Sequence, residues 1–309
     1  MTELETIRDF IRYGASEFGR AGLTFGHSYD NALDEATQLV LHALHLPHDL
    51  SPVYASSRLT QAERNEILAL FRRRIDERIP ACYLTGEAWF AGLAFKSDAR
   101  ALVPRSPIAE LIEDGFSPWL DGVVVDRALD LCAGSGCIGI ATAVHNPHWQ
   151  VDCADISADA LALAAENVER FEVGDRVRLV QSDLFAALDQ QRYGLIVSNP
   201  PYVTHNEYSA MPGEYAHEPK LGLTAGEDGL DIALRILDKA TDHLIDNGVL
   251  IVEVGESQYA LEQLLPQVPF AWIEFKVGQM GVFALNRRDL VIHARVIAEA
   301  LGARSSTSG

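Results

Sequence analysis

Long apolar runs, paired cysteines and an excess of positive charge are all missing from this chain, and each absence removes a class of protein. No apolar stretch in the 309 residues approaches the ~20 residues of a membrane span. The acidic start "MTELETIRDF" lacks the pattern of a secretory leader. A cytoplasmic protein with no membrane partner is expected. The four cysteines, Cys82, Cys132, Cys137 and Cys153, are few for a disulfide framework and lack the paired two-residue spacing of a zinc site. They are expected to be reduced and buried, with no metal bound. Lys and Arg number 25 against 44 Asp and Glu, a net charge of −19. Such a field repels phosphate backbones and attracts basic partners, which argues against a nucleic-acid substrate.

What is present divides along the chain. From Leu4 to about Ile79 apolar residues recur at helical spacing, as in Leu33, Ala36, Val40, Ala43 and Leu44. Thr60 and Glu63 fit a capping box for the last of these helices, and Pro80 fits its end. Aromatic and β-branched residues with Gly86 and Gly92 then suggest a connecting hairpin, followed by Ser106-Pro107 at the start of a helix through Ile112. Beyond Gly122 strand-like and helix-like segments alternate, the signature of a mostly parallel α/β sheet covered on both faces. The last two strand-like segments, "WIEFKVG" and "GVFALNR", are too close for a parallel crossover and should form an antiparallel hairpin at one edge. The expected division is a helical substrate-recognition unit over 1–80, a hairpin over 81–106, a catalytic domain over 107–302 and a disordered tail over 303–309.

The segment "LDLCAGSGCIG" places Gly134, Gly136 and Gly139 in a G-x-G-x-x-G pattern at a strand-to-helix turn, and Asp155 ends the next strand about 20 residues on. This is also the dinucleotide fingerprint, so the loop alone does not name its ligand. Asp130, just before the loop, would repel a pyrophosphate but favour the ammonium and sulfonium of S-adenosylmethionine. Asp155 would accept from the ribose hydroxyls. Asp183 could accept from the adenine amino group, with Leu184 and Phe185 in apolar contact with the ring. The candidate cofactor contacts are Asp130, Cys132, Ala133, Gly134, Ser135, Gly136, Asp155, Ile156, Asp183, Leu184 and Asn199.

Further on, the apolar run "YGLIVS" stops at Asn199-Pro200-Pro201-Tyr202. Two prolines remove two backbone donors and fix two φ angles, which leaves a rigid corner. In an open parallel sheet ligands lie beyond the carboxyl ends of the strands, where the strand order reverses, so the corner should face the glycine loop across that crevice. Asn199 offers a side-chain carbonyl, Pro200 a backbone carbonyl and Tyr202 a flat face. Two acceptors beside an aromatic surface suit a planar NH₂ group whose nitrogen must be oriented toward a methyl donor. Asn199, Pro200 and Tyr202 form the candidate catalytic set.

Together with "DIS" after the second strand and the later "AGEDGLDIALRIL", these motifs resemble the class I methyltransferases that modify glutamine side-chain amides in proteins of the translation machinery. The resemblance covers nearly the whole chain. It implies a seven-stranded Rossmann-like sheet with a reversed last strand, S-adenosylmethionine as donor, and binding of the target glutamine at Asn199, Pro200, Pro201 and Tyr202. Before the catalytic domain the chain has "VPRSPIAELIEDGF", similar to the branch acting on the basic ribosomal protein three of the large subunit rather than the one acting on release factors. By that likeness Arg105 could border the substrate groove. In place of the Asp-Trp-Phe often found in the release-factor branch stands Asp183-Leu184-Phe185.

Two other readings share parts of this pattern. Enzymes that methylate exocyclic amines of nucleic-acid bases also carry Asn-Pro-Pro-Tyr, although the one basic cluster here, "FRRRIDER" from Phe71 to Arg78, reads as a solvated helix face. A nicotinamide-dependent oxidoreductase would make the corner structural. His42, His45 and His48 are spread around a helix and read as surface histidines rather than a metal site. Glu218-Pro219 could cover the substrate or form a plain surface loop. Glu253 should face the same crevice, where a strand-end carboxylate is often merely solvated.

Overall fold

The computed structural model describes residues 4–305 apart from 28, 189, 190, 277 and 279. Helices α1 (Ile7–Arg20), α2 (Ala32–Ala43) and α3 (Gln61–Asp76) pack around Phe10, Phe18, Leu39, Ile67 and Phe71. Thr60 and Glu63 cap α3 reciprocally, as expected. That helix stops at Asp76, and Pro80 instead precedes a short helix α4 (Ala81–Thr85), whose Ala81 and Leu84 join the same core. The hairpin follows as β1 (Glu87–Phe90) and β2 (Leu93–Lys96). Its two turn residues, Ala91 and Gly92, both have positive φ, as a tight two-residue connection requires.

After helix α5 (Ile108–Glu113) come β3 (Arg127–Leu131), α6 (Cys137–His145), β4 (Gln150–Asp155), α7 (Ala158–Arg170), β5 (Val177–Gln181) and β6 (Tyr193–Ser198). They are followed by α8 (His205–Ala210), α9 (Asp231–His243), β7 (Leu244–Glu253), α10 (Gln258–Leu264), β8 (Ala271–Trp272), β9 (Val282–Asn286) and α11 (Arg287–Ser305). Strands β3 to β9 form one seven-stranded sheet in the order β5-β4-β3-β6-β7-β9-β8. Only β9 runs against its neighbours, β7 and β8, so the reversed strand and edge hairpin expected from the sequence are present. β8 is shorter than "WIEFKVG" suggested: Ala271 and Trp272 pair with β9, and the Ile273 N–H adds one bond to the Val282 carbonyl at 2.9 Å. Helix α11 carries residues 303–305, and the rest of the expected tail, 306–309, lies outside the described residues.

The strand order reverses between β3 and β6, whose ends therefore face one crevice. β6 is buried along its whole length and paired on both edges, which makes its carboxyl end a firm mount.

A buried ion network ties the helical unit to the loop after β6. Arg74 is fully buried, with its Nε 2.6 Å from Glu35 and its Nη1 3.2 Å from Glu214, and its Nη2 donates to the Thr24 carbonyl at 2.9 Å. Arg78 adds a second contact to Glu214. The "FRRRIDER" cluster is thus only partly the solvated face expected: Arg72 and Arg73 are exposed, but Arg74 sits one helical turn after Phe71 on the buried side. Removing one partner of a buried pair strands the other charge. Arg74→Leu should therefore cost about 3–5 kcal/mol in urea denaturation, and a cost below about 1 kcal/mol would show that the network is not holding these parts together.

Candidate functional site

β3 ends at Leu131, level with Ala154 of β4 and Ser198 of β6, so the glycine loop emerges between Asp155 and Asn199. Cys132, Gly134 and Gly136 all take the left-handed conformation that turns the chain sharply into α6. A cavity of about 350 Å³ opens above this junction. Its wall contains Cys132, Ala133, Gly134, Ser135, Asp155, Ile156, Asp183, Leu184, Asn199, Pro201 and Arg105 from the residues singled out above.

Asp155 is held from both sides. Its Oδ2 accepts from the Gly134 N–H and its Oδ1 from the Ser157 N–H, each at 2.8 Å. Burial nevertheless pushes its carboxyl above the usual carboxylate range, a cost that outweighs these bonds. Each oxygen keeps a lone pair for a ligand donor. Ser135 is buried on the same wall, its hydroxyl beside the Cys137 thiol.

Asp130 and Gly136 are not on the wall. Leu129 and Leu131 point to one side of the sheet, so Asp130 and Ala128 point to the other, toward α6. There Asp130 is fully buried, accepts from the Gly139 N–H at 2.8 Å, and is pushed by burial to a pKa of about 8. Its carboxyl thus lies behind the loop, against α6. Gly136 and Gly139 are demanded by packing: a Cβ would stand 2.8 Å from Ile140 Cδ1 at the first and 2.3 Å from Cys153 Sγ at the second.

Other groups on the wall disfavour a pyrophosphate. Arg100, Arg105 and Arg235 line the cavity, and each is already paired: Arg100 with Asp98 and Glu166, Arg105 with Glu218, Arg235 with Asp183. The Gly134 N–H, which a phosphate-binding loop would offer to its ligand, is taken by Asp155. The wall therefore presents paired rather than free cations to whatever enters it.

Asp183 lies at the cavity with both oxygens 2.8 Å from one Arg235 nitrogen, a partner supplied by "AGEDGLDIALRIL" that no local spacing signals. Leu184 lines the wall in a left-handed conformation, its carbonyl accepting from the Ser182 hydroxyl at 2.6 Å. Phe185 does not reach the cavity. Its ring stacks on His243 at 4.6 Å, in the core beneath.

At the corner Asn199 and Pro201 face the cavity while Pro200 is buried beneath them. Among the described residues nothing hydrogen-bonds the Asn199 side chain. Tyr202 stands behind the wall rather than on it. Its hydroxyl donates to Glu253 Oε1 at 2.8 Å, its carbonyl accepts from the Ser257 hydroxyl at 3.1 Å, and its ring lies where a Cβ on Gly255 would come within 2.7 Å. Glu253 is buried, not solvated. Arg105 lines the cavity with its Nη1 and Nη2 gripping Glu218 at 2.6 and 3.0 Å. Glu218 is itself buried, with His27 3.2 Å away, so Glu218-Pro219 is a fastened segment and not a plain surface loop. Burial raises the Glu218 pKa, but His27 and Arg105 outweigh it and the net shift is downward.

Gly229 lets the chain pass this corner at φ +76°; a Cβ there would meet the Tyr202 carbonyl oxygen at 2.1 Å and Ser257 Oγ at 2.3 Å. Gly229→Ala should cost about 1–3 kcal/mol in chemical denaturation, from overpacking and a strained φ together. Unchanged stability would mean that the corner is looser than its contacts indicate.

Comparison with known proteins places this geometry in a family. The family model "Methyltransferase small domain" matches residues 119–214, from before the glycine loop to beyond the corner. The chain is 66% identical over 302 residues to the ribosomal protein uL3 glutamine methyltransferase of Xanthomonas campestris pv. campestris, covering 98% of each chain. It is 65% identical to that of Xylella fastidiosa, covering 96% of this chain and 95% of the relative. The corresponding protein of Neisseria gonorrhoeae is 47% identical, over 94% of this chain and 97% of its own. Identity at this level across nearly the full length shows that the chain belongs to the ribosomal protein uL3 glutamine methyltransferase family.

Proposed function

We propose that the protein transfers the methyl group of S-adenosylmethionine to a glutamine side-chain amide nitrogen of ribosomal protein uL3. The observation that carries this reading is the unpartnered side chain of Asn199 on the wall of the cavity that also contains the glycine loop and Asp155. The relatives named for this activity support the choice of substrate.

The residues divide between two ligands. Asp155, anchored by the loop it faces, would accept from the ribose hydroxyls; Ser135 would supply a buried hydroxyl, Leu184 and Ile156 apolar surface, and Asp183 an acceptor for the base. Bound S-adenosylmethionine would supply an electrophilic methyl group on its sulfonium. An amide nitrogen is a poor nucleophile because its lone pair is delocalised into the carbonyl. The Asn199 Oδ1 and the Pro200 carbonyl, accepting its two N–H hydrogens, hold the NH₂ in place and return electron density to nitrogen, which is catalysis by preorganised dipoles. In the transfer the carbon–nitrogen bond would form as the carbon–sulfur bond breaks, leaving a neutral thioether, and the amide nitrogen would give up one proton to water. The helical unit over 1–80 is proposed to present the substrate, with the 107–302 region performing the transfer.

Charge favours the same partner. A chain of net charge −19 attracts a lysine- and arginine-rich ribosomal protein at long range and repels bare nucleic acid.

Incubation with labelled donor and, separately, free uL3, a release factor and naked RNA tests the substrate. Label should enter one glutamine of uL3, at a rate that falls as salt rises; faster labelling of a release-factor glutamine or of adenine would replace uL3. Asp155→Ala should weaken donor binding in calorimetry by at least about 2 kcal/mol for a lost charge-assisted bond pair, and equal affinity would remove Asp155 from the site. Asn199→Ala should lower kcat by about 10²-fold or more with donor affinity kept, and normal turnover would overturn its assignment.

A further inference from the structure

One cluster beside the cavity has no part in the chemistry above. Glu253, the last residue of β7, is a carboxylate only 5% exposed. Burial of such a group costs several kcal/mol unless its oxygens are satisfied. Both are: Ser106 Oγ lies 2.5 Å from Oε2 and the Tyr202 hydroxyl 2.8 Å from Oε1. The direction of these bonds follows from their surroundings. Ser106 Oγ already accepts from the Ile108 N–H at 3.2 Å, which leaves its own hydrogen for Glu253. Tyr202 supplies the second hydrogen, so the carboxylate is an acceptor on both oxygens, in bonds shorter and stiffer than neutral ones.

The mount is rigid. Val252 is level with Ser198 across the parallel β6–β7 ladder, so Glu253 stands beside Asn199, and on its other side it pairs with Val282 of β9. Between Asn199 and Tyr202 lie only two prolines, whose φ angles are fixed. A shift of the Tyr202 end is therefore transmitted to Asn199. The neighbouring Arg105, through Glu218, fastens the loop on the other side of the corner. The Arg105-Ser106 pair thus braces two acidic residues that flank the corner.

Resting on the functional reading above, we propose that Glu253, held by Ser106, is a positioning residue: by fixing the Tyr202 hydroxyl it sets the direction in which Asn199 and the Pro200 carbonyl present their acceptors to the substrate amide.

The test compares Glu253→Ala, Glu253→Gln, Tyr202→Phe, Ser106→Ala and the Glu253→Ala/Tyr202→Phe double variant of the full chain, with free uL3 as substrate. Melting temperature and donor affinity are measured alongside kcat and KM. Glu253→Ala and Tyr202→Phe should each lower kcat about 10- to 100-fold with donor affinity unchanged. The double variant should be no worse than the poorer single one, because both remove the same bond. Glu253→Gln, which keeps an acceptor for Tyr202, should recover most of the loss. If Glu253→Ala does not fold, Tyr202→Phe and Ser106→Ala decide alone, since each deletes a single oxygen. Near-normal kcat in those variants, multiplying losses in the double variant, or no rescue by glutamine overturns the proposal. A parent enzyme that transfers no methyl to uL3 overturns the functional reading and this inference with it.

Discussion

Two consecutive prolines at the end of a strand that is buried on both faces and paired on both edges are the constraint from which the rest of the site follows. Proline offers no N–H, so the ladder stops there, and its fixed φ leaves the emerging chain almost no freedom. The chain is then caught on every side: the Ser257 hydroxyl holds the Tyr202 carbonyl, Val203 exchanges backbone bonds with Leu223 and Ala225, and Gly229 and Gly255 make room for the approach. Asn199 consequently has one place to be, beside the glycine loop, because β3 and β6 are neighbours at the reversal of strand order.

Charge in this protein works at two scales. Over the whole chain the excess of acid is large, yet many arginines are consumed internally. Arg74 is buried against Glu35 and Glu214, Arg127 and Arg178 meet at Asp152, and the three arginines on the cavity wall each face a carboxylate. The internal cations thus join segments that are distant in sequence, while the unpaired acid remains to act at long range. For the same reason the cavity offers little to a phosphate.

Much of this was legible in the sequence, and the failures have a common cause. Alternating strand and helix patterns, the reversed last strand, the capping box at Thr60 and the meeting of the glycine loop, Asp155 and Asn199 all depend on local spacing and on the topology that spacing implies. Direction was harder to read. Position along the chain suggests a cavity-facing place for Asp130, Gly136, Phe185 and Tyr202, yet strand alternation turns Asp130 toward α6, packing fixes Gly136, and Phe185 and Tyr202 face inward partners. Pairings across long separations, such as Arg105 with Glu218 or Arg235 with Asp183, leave no periodic trace. The burial of Arg74 and Glu253 depends on segments more than 100 residues away, Glu214 and Ser106, so no local pattern announced it.

A crystal structure with the demethylated donor product and a glutamine-containing uL3 peptide bound would examine the division of the cavity most directly. The ribose hydroxyls should lie on Asp155, and the glutamine NH₂ should sit between Asn199 Oδ1 and the Pro200 carbonyl. A glutamine seated elsewhere, or an Asn199 turned onto the cofactor instead, would contradict the assignment of the corner to the substrate.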